Sequence, residues 1–252
     1  MKKILLCCSF TILVLIISCG ERIKEENPVE MNEKGIQLIN DGKQEEALQL
    51  FLKAIKSPKL SGDYKGTIYR NIGVTYNQLD KKDSAIHYST LAYKCFRKNS
   101  YDYLINAADV DLYRGKTAAA LPKLLKAVKM EPDDMAVNNT LGLLYLGEYG
   151  DTFIDLDKAL AYNLKAFDIT SSRTMEEVLA LNYYKLENYE KAELHYEHLH
   201  QNYPDMISYT LDMGLAKYKL KKKTEANKLF EEVLAKDSSY RETIDIFKDN
   251  NR

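Results

Sequence analysis

The sequence predicts an all-α protein built as a solenoid of about six helical hairpins. In five places a small residue is followed twelve positions later by alanine, and a sixth pair has a longer spacing; successive alanines of the six pairs lie 33 to 39 residues apart. The pairs are Gly35 and Ala47, Gly73 and Ala85, Ala108 and Ala120, Ala180 and Ala192, and Gly214 and Ala226, with a sixth pair, Gly142 and Ala159, stretched to seventeen. Two antiparallel helices approach closely only where both carry small side chains. A fixed period of 20 to 50 residues is typical of a solenoid.

The residues around these pairs have the spacing of amphipathic helices. The second helix of a hairpin reads Ala-x3-aromatic-x2-apolar, as in Ala192, Tyr196 and Leu199, which places all three side chains on one helix face. Glycines fall between the two helices of a hairpin, and prolines follow the second helix at Pro58 and Pro132. Each period therefore predicts a helix, a short turn, a second helix and an exit.

One stretch resembles a known family closely. Tyr69-x2-Ile72-Gly73-x2-Tyr76, followed by Ala85-x6-Ala92, resembles a tetratricopeptide repeat (TPR). The resemblance implies a right-handed superhelical solenoid over residues 31–252, with a C-terminal capping helix in 241–252. The predicted repeats are 28–61, 66–99, 101–134, 135–172, 173–206 and 207–240. Three features depart from the pattern: Ser89 and Asn163 stand where the second helix usually has an aromatic residue, and about five extra residues lie around 148–155.

The N-terminus predicts a lipid anchor. Two lysines precede an apolar run, residues 4–17, which is shorter than the roughly 20 residues of a membrane span. The run ends Ile16-Ile17-Ser18-Cys19, which resembles the recognition sequence of lipoprotein signal peptidase. The resemblance implies that residues 1–18 are a signal peptide, and that Cys19 becomes the mature N-terminus and carries diacylglycerol and a palmitate-type acyl chain. An uncleaved anchor helix and an ordinary secretory signal are the alternatives.

Residues 19–30 predict a tether between lipid and repeat domain, because they are charged, include Pro28 and show no apolar period. Residues 24–26, Lys-Glu-Glu, resemble the acidic export tethers of some Bacteroidetes lipoproteins, although a solvated linker is the simpler interpretation. We expect the protein in the cell envelope, lipid-anchored to the outer membrane on its periplasmic face or at the surface.

Composition excludes some functions. The chain has 36 basic and 37 acidic residues, and removing residues 1–18 leaves a charge of about −3, which argues against nucleic-acid binding. Of the four cysteines, Cys7 and Cys8 lie in the signal peptide and Cys19 carries lipid, so Cys95 has no partner for a disulfide. The mature fold must therefore be stabilised by packing alone.

The resemblance also implies that first helices line a concave, protein-binding face. The candidate groove residues are Arg70, Val74, Asn77, Tyr113, Asn139, Leu143, Leu181, Tyr184, Lys185 and Tyr218. Alternatively, the apolar members of this set only pack against neighbouring repeats. The sequence lacks the basic residues by which chaperone-binding relatives hold a terminal carboxylate. Its positions here hold Asn32, Ile36, Asn71, Asp102 and Asn106, and two acidic residues, Asp102 and Asp109, are expected inside the groove.

Other polar residues do not assemble into a catalytic pattern. We expect His195, His198 and His200 to be solvated on the convex surface, where Glu193 or Glu197 could join the first two in a metal site. Asp151, Asp155 and Asp157 predict a solvated turn, since a calcium loop would need a glycine and a terminal glutamate. We expect the Cys95 side chain to be small and buried. We expect a solvated turn at the three lysines Lys221, Lys222 and Lys223. We therefore expect no enzyme activity, no cofactor, no metal and no small-molecule substrate.

The sequence thus predicts a non-catalytic scaffold or adaptor that holds another envelope protein, or a peptide of it, in its concave groove. The alternative is an accessory subunit, either of an envelope assembly or secretion machine or of a peptidoglycan-modifying enzyme supplied by another chain.

Overall fold

The structure, a computed structural model, describes residues 27–251. In that range it consists of α-helices and two short 3-10 turns, with no strand. The helices are α1 (Pro28–Asn40), α2 (Gln44–Ala54), α3 (Gly62–Gln78), α4 (Lys82–Lys94), α5 (Tyr101–Tyr113), α6 (Thr117–Met130), α7 (Met135–Leu146), α8 (Leu156–Ile169), α9 (Arg173–Lys185), α10 (Tyr189–Asn202), α11 (Ile207–Lys219), α12 (Lys223–Lys236) and α13 (Arg241–Asp249). The predictions for the signal peptide, Cys19 and most of the tether lie outside the described residues.

Helices α1 to α12 pair into six consecutive antiparallel hairpins, which we number 1 to 6. Most first helices begin at a polar residue whose side chain accepts a hydrogen bond from a backbone N–H of the first turn, as Ser61, Ser100 and Asp134 do. The turn inside a hairpin contains a residue in the left-handed region, which is Gly42 in hairpin 1 and Gly115 in hairpin 3. Capping and turn residues thus fix where each helix of a hairpin ends.

The small residues predicted from the sequence lie in the seam between the two helices of a hairpin. The six alanines of the second helices have no exposed surface. A Cβ atom added to Gly35 would lie 2.4 Å from the Phe51 ring, and one added to Gly214 would lie 2.7 Å from the Phe230 ring. Glycine is therefore required at positions 35 and 214, where the facing residue of the second helix is a phenylalanine.

Consecutive helices pack along the chain, and α13 covers the last hairpin. Ile244 of α13 is buried, and Phe247 lies edge-on to Tyr218 at 5.4 Å between ring centroids. A terminal helix with a polar outer face is how a solenoid closes its open end. These observations confirm the predicted all-α solenoid of six hairpins with a capping helix. Among the described residues no helix has the length and apolar character needed to cross a membrane.

The extra residues of hairpin 4 form a long turn between α7 and α8. It contains Gly147 in the left-handed region and a 3-10 turn, Asp151–Phe153. Asp155 then caps α8 by accepting a hydrogen bond from the backbone N–H of Lys158. Thr117 of α6 donates a hydrogen bond to the backbone oxygen of Tyr149, at 2.9 Å. The turn is therefore held against hairpin 3. Its tyrosine, Tyr149, lines the cavity described below, whereas Asp151 and Asp157 are exposed.

Candidate protein-binding groove

The first helices of hairpins 1 to 5 surround a cavity of about 250 Å³, which we call the central cavity. Its wall combines aliphatic and amide side chains from helices that are far apart in sequence. The residues that line it are Ile36, Ile39, Asn40, Phe51, Arg70, Asn71, Val74, Thr75, Asn77, Gln78, Asp109, Tyr113, Met135, Ala136, Asn139, Thr140, Leu143, Tyr149, Ser172, Thr174, Met175 and Val178. A concave apolar site with a few polar groups is the usual form of a ligand-binding pocket.

Six of the ten predicted groove residues meet in this cavity. They come from α3, α5 and α7, and they are Arg70, Val74, Asn77, Tyr113, Asn139 and Leu143. The register of the repeat therefore brings side chains from three successive first helices to one surface, as expected for a solenoid in which these helices face inward.

An ion pair lies in the wall of the cavity. Nε of Arg70 on α3 lies 3.4 Å from Oδ2 of Asp109 on α5, and the Asp109 side chain is only 4 % exposed. Burial raises the pKa of the Asp109 carboxyl, and the charge of Arg70 offsets part of that rise. Because the guanidinium already neutralises a buried carboxylate, Arg70 is not a free anchor for a partner's carboxylate.

Two tyrosines surround this pair. Burial and the charge of Asp109 raise the pKa of both Tyr113 and Tyr149. Both side chains therefore keep their hydroxyl protons at neutral pH and can donate hydrogen bonds. Together with the amides of Asn77 and Asn139, they give the cavity neutral hydrogen-bonding groups beside an internally compensated ion pair.

The other four predicted residues lie away from the central cavity. Leu181 packs against the core of hairpins 3 and 4, and Tyr184 is half-buried beside Tyr189, with ring centroids 5.3 Å apart. Lys185 donates hydrogen bonds to the backbone oxygen of Leu146 and to Oε1 of Glu148, each at 3.0 Å. It therefore links hairpin 5 to the long turn of hairpin 4.

Tyr218 requires a correction, because its side chain is buried. Only 7 % of it is exposed, and its ring packs between Phe230 and Phe247. The capping helix covers this position, so the tyrosine belongs to the C-terminal core rather than to a binding surface. The repeat pattern alone does not show that a thirteenth helix packs over hairpin 6.

A second polar cluster lies where hairpins 5 and 6 meet. Arg173, at the start of α9, donates a hydrogen bond from Nη1 to the hydroxyl of Tyr209, which donates in turn to Oε2 of Glu177, each at 3.0 Å. Burial, together with the negative charge of Glu177, raises the pKa of Asp212 to about 7. The Asp212 carboxyl is therefore close to half-protonated at neutral pH.

Sequence reasoning missed three parts of the central cavity. Hairpin 1 contributes Ile36, Ile39 and Asn40, the long turn contributes Tyr149, and the start of α9 contributes Ser172 among others. The groove positions of hairpin 1 could have been found by extending the repeat register to it. The approach of hairpin 5 to hairpin 1 depends on the curvature of the whole solenoid and has no local sequence signal.

His195 differs from the prediction that the three histidines are solvated. Nδ1 of His195 lies 3.2 Å from Oε1 of Glu176, and Nδ1 of His198 lies 2.8 Å from Oε2 of the same carboxylate. His195 stacks on Tyr183 and is only 20 % exposed, so it is not solvated, whereas His198 is. His200 lies 3.1 Å from the hydroxyl of Thr210. Across residues 27–251 no group of three or more acidic, histidine or cysteine side chains is arranged to hold a metal ion.

Two further expectations need adjustment. Cys95 is half-buried, its thiol donates to the backbone oxygen of Leu91, and burial raises its pKa. In the turn of hairpin 6, Lys222 binds both carboxylate oxygens of Glu193, at 2.7 and 2.9 Å, and Nζ of Lys223 lies 5.1 Å from the Tyr218 ring centroid. This lysine cluster is therefore partly engaged in packing between hairpins 5 and 6 rather than only solvated.

The fold and the cavity together define a helical-repeat protein whose first helices form a concave interaction surface. Residues 179–205 and 211–239 match the family model described as Tetratricopeptide repeat. This match and the likeness to solved structures support a TPR protein, a fold that typically serves as a non-catalytic protein-binding scaffold. No curated protein gave a significant match.

Three solved structures show the same fold at low sequence identity. TTC0263, a thermophilic TPR protein of Thermus thermophilus, is 20 % identical over 75 % of this chain and 98 % of its own, with a TM-score of 0.52. A chain of the APC/C hetero-tetramer Cut9–Hcn1 is 18 % identical over 90 % of this chain and 43 % of its own, with a TM-score of 0.63. A chain of the human IFIT1 dimer with PPP-AAAA is 18 % identical over 83 % of this chain and 50 % of its own, with a TM-score of 0.60.

Proposed function

We propose that this protein is a non-catalytic scaffold, anchored by lipid on Cys19 to the bacterial outer membrane, that holds a segment of another envelope protein in the central cavity. The observation that carries the proposal is the cavity itself, because five hairpins contribute to one concave surface with both aliphatic and amide side chains. A surface of this composition suits an extended or helical segment, whose side chains fill the apolar parts while amides hold its backbone.

Charge supports a protein partner over a nucleic acid. The chain has a net charge of −1, and the arginine in the cavity wall is already paired with Asp109. A nucleic-acid site would need several unpaired basic groups along one face. The neutral amides and tyrosines of the cavity instead fit a peptide with no strong net charge.

A crosslinking pull-down from intact cells tests the groove. Val74→Asp places a carboxylate in the cavity wall, whereas Leu194→Asp places the same group on the exposed face of α10. We expect the first variant to lose most of the recovered partner and the second to keep it, with both folded by circular dichroism. Equal recovery by the two folded variants would show that the cavity is not the binding site.

The identity of the recovered protein separates the proposal from its alternative. An assembly or secretion component should recover β-barrel or machine components, whereas an accessory subunit of a peptidoglycan-modifying enzyme should recover a hydrolase. The same experiment on both variants reports whether that protein depends on the central cavity.

The lipid anchor has its own test. Cys19→Ser should abolish acylation and leave an uncleaved or released protein, and Cys95→Ser serves as the matched control. We expect only the first change to alter precursor size and membrane association. Unaltered size and fractionation of the Cys19→Ser variant would refute the lipoprotein assignment and leave the groove unaffected.

A further inference from the structure

The central cavity has an apolar side to which four hairpins contribute. Ile36 of α1 lines the cavity although it is 44 % exposed. Partly buried aliphatic side chains join it from three other hairpins, namely Val74, Leu143 and Val178. Large aliphatic side chains that converge from distant helices on one concave surface are typical of a site that buries an apolar group of a ligand.

The volume of the cavity limits the size of that group, because it is only about 250 Å³. A cavity of about 150 Å³ is enough to bind a benzene ring, whereas a drug-sized ligand occupies a pocket of about 300–1,000 Å³. The central cavity therefore has room for one large side chain, such as that of leucine or tryptophan. The rest of a partner segment would lie outside it, along the groove.

The charges in the wall limit the chemistry of the group. Among the residues of 27–251 that line the cavity, Arg70 is the only basic one and Asp109 the only acidic one, and they form an ion pair with each other. Burial raises the pKa of Asp109 and of the neighbouring Tyr113 and Tyr149, so this environment shifts all three groups toward their uncharged forms. A carboxylate that entered the cavity would be desolvated beside Asp109, and the described wall holds no unpaired cation to offset that cost.

We propose that the central cavity takes one large, uncharged side chain from an internal stretch of the partner and discriminates against carboxylates, whether acidic side chains or a free C-terminus. Such specificity needs a penalty for the wrong group as well as contacts to the right one. The Arg70–Asp109 pair supplies the penalty because it leaves the wall without a free positive charge. This inference rests on the proposed function, since it names the part of the partner that the cavity holds.

Two tryptophan derivatives that differ in one charge provide the test. N-acetyl-tryptophanamide is neutral, whereas N-acetyl-tryptophan carries a carboxylate at neutral pH. The protein has no tryptophan, so the fluorescence anisotropy of either probe reports its binding to the full chain directly. We expect the neutral probe to bind and the anionic probe to bind more weakly by about tenfold or more, because like charges brought together in a desolvated site are strongly disfavoured.

Three variants locate the site and its charge. Val74→Phe places a ring in the cavity wall, whereas Leu194→Phe adds the same ring to the exposed face of α10. Only Val74→Phe should lose binding of the neutral probe. Asp109→Asn removes the negative charge and leaves Arg70 unpaired, so it should strengthen binding of N-acetyl-tryptophan and narrow or reverse the difference between the two probes.

Equal affinity for the two probes, tighter binding of the anionic probe or no binding of either would overturn the inference. So would a Val74→Phe variant that binds the neutral probe as well as Leu194→Phe does. If Val74→Phe or Asp109→Asn does not fold by circular dichroism, the comparison of the two probes on the unaltered chain still decides. None of these results affects the pull-down of Val74→Asp, which tests the proposed function whatever class of side chain the partner inserts.

Discussion

Gly142→Ala tests whether the seam of hairpin 4 is packed as closely as the structure indicates. In place of the usual aromatic residue, the second helix presents Asn163, and a Cβ atom added to Gly142 would lie 1.7 Å from its Oδ1 and 2.6 Å from its Cγ. Asn163 cannot turn away freely, because it is buried and its Nδ2 donates to Oδ1 of Asn182 at 2.8 Å. The added methyl group must displace a side chain that links two hairpins.

The expected magnitude follows from three contributions. Overpacking of a close seam costs about 1–3 kcal/mol, and leaving buried amides without partners costs about 1–3 kcal/mol more. Replacing glycine by alanine inside a helix returns about 1 kcal/mol. The net destabilisation is therefore about 1–5 kcal/mol, which corresponds to a fall in Tm of roughly 2–20 °C for a chain of this size.

Thermal unfolding followed by circular dichroism measures the effect, with Gly62→Ala as the control. Gly62 lies in the first turn of α3, and a Cβ added there would meet no atom within 4 Å, so this change should leave Tm unchanged or raise it slightly. Adding Asn163→Ala to Gly142→Ala removes the steric conflict, and the two changes together should cost less than the sum of the single changes. A Tm for Gly142→Ala at or above that of Gly62→Ala would refute the close approach of α7 and α8.

Three further changes test the buried polar groups. The pKa of Asp212 is raised to about 7 by burial and by Glu177, so the folded chain binds a proton that the unfolded chain releases near pH 4. Stability should fall as pH rises from about 4 to 7, and Asp212→Asn should have a higher Tm than the parent at pH 8 and the same Tm near pH 4. Arg70→Ala leaves the carboxylate of Asp109 buried and unpaired and should cost about 3–5 kcal/mol in urea unfolding, most of which Asp109→Asn should restore in the double variant. Tyr218→Ala should lower the free energy of unfolding by about 3–5 kcal/mol because the tyrosine ring is part of the C-terminal core. A loss below about 1 kcal/mol would contradict this and favour the earlier assignment of Tyr218 to the binding surface.

Features fixed by neighbouring residues were predictable from the sequence. The distance between a small residue and the following alanine is set by one helix, one turn and one helix, so the period indicates hairpins directly. Gly73 and Gly214 illustrate this, because each stands opposite the second-helix position expected from the pattern, which holds Ser89 and Phe230 respectively. The same register brings Val74 and Asn139, from hairpins 2 and 4, to one cavity.

Contacts between side chains of different hairpins were not predictable in this way. Arg70 and Asp109 were both expected in the groove, but their pairing depends on side-chain directions that the repeat pattern does not specify. His195 was expected on the surface, whereas stacking on Tyr183 and contact with Glu176 draw it inward. A repeat pattern describes an average residue environment, and each of these residues departs from it through one particular neighbour.

The long turn of hairpin 4 explains why curvature matters most for the site. Lys185, near the end of α9, is held by the backbone oxygen of Leu146 and by the carboxylate of Glu148, so the turn determines how hairpin 5 is set against hairpin 4. That angle in turn determines where the other end of α9 lies, and with it Thr174 and Met175 in the wall of the central cavity. A few inserted residues, which the sequence shows only as an interruption of the period, thus contribute both a tyrosine of the cavity wall and a contact that positions hairpin 5 against hairpin 4.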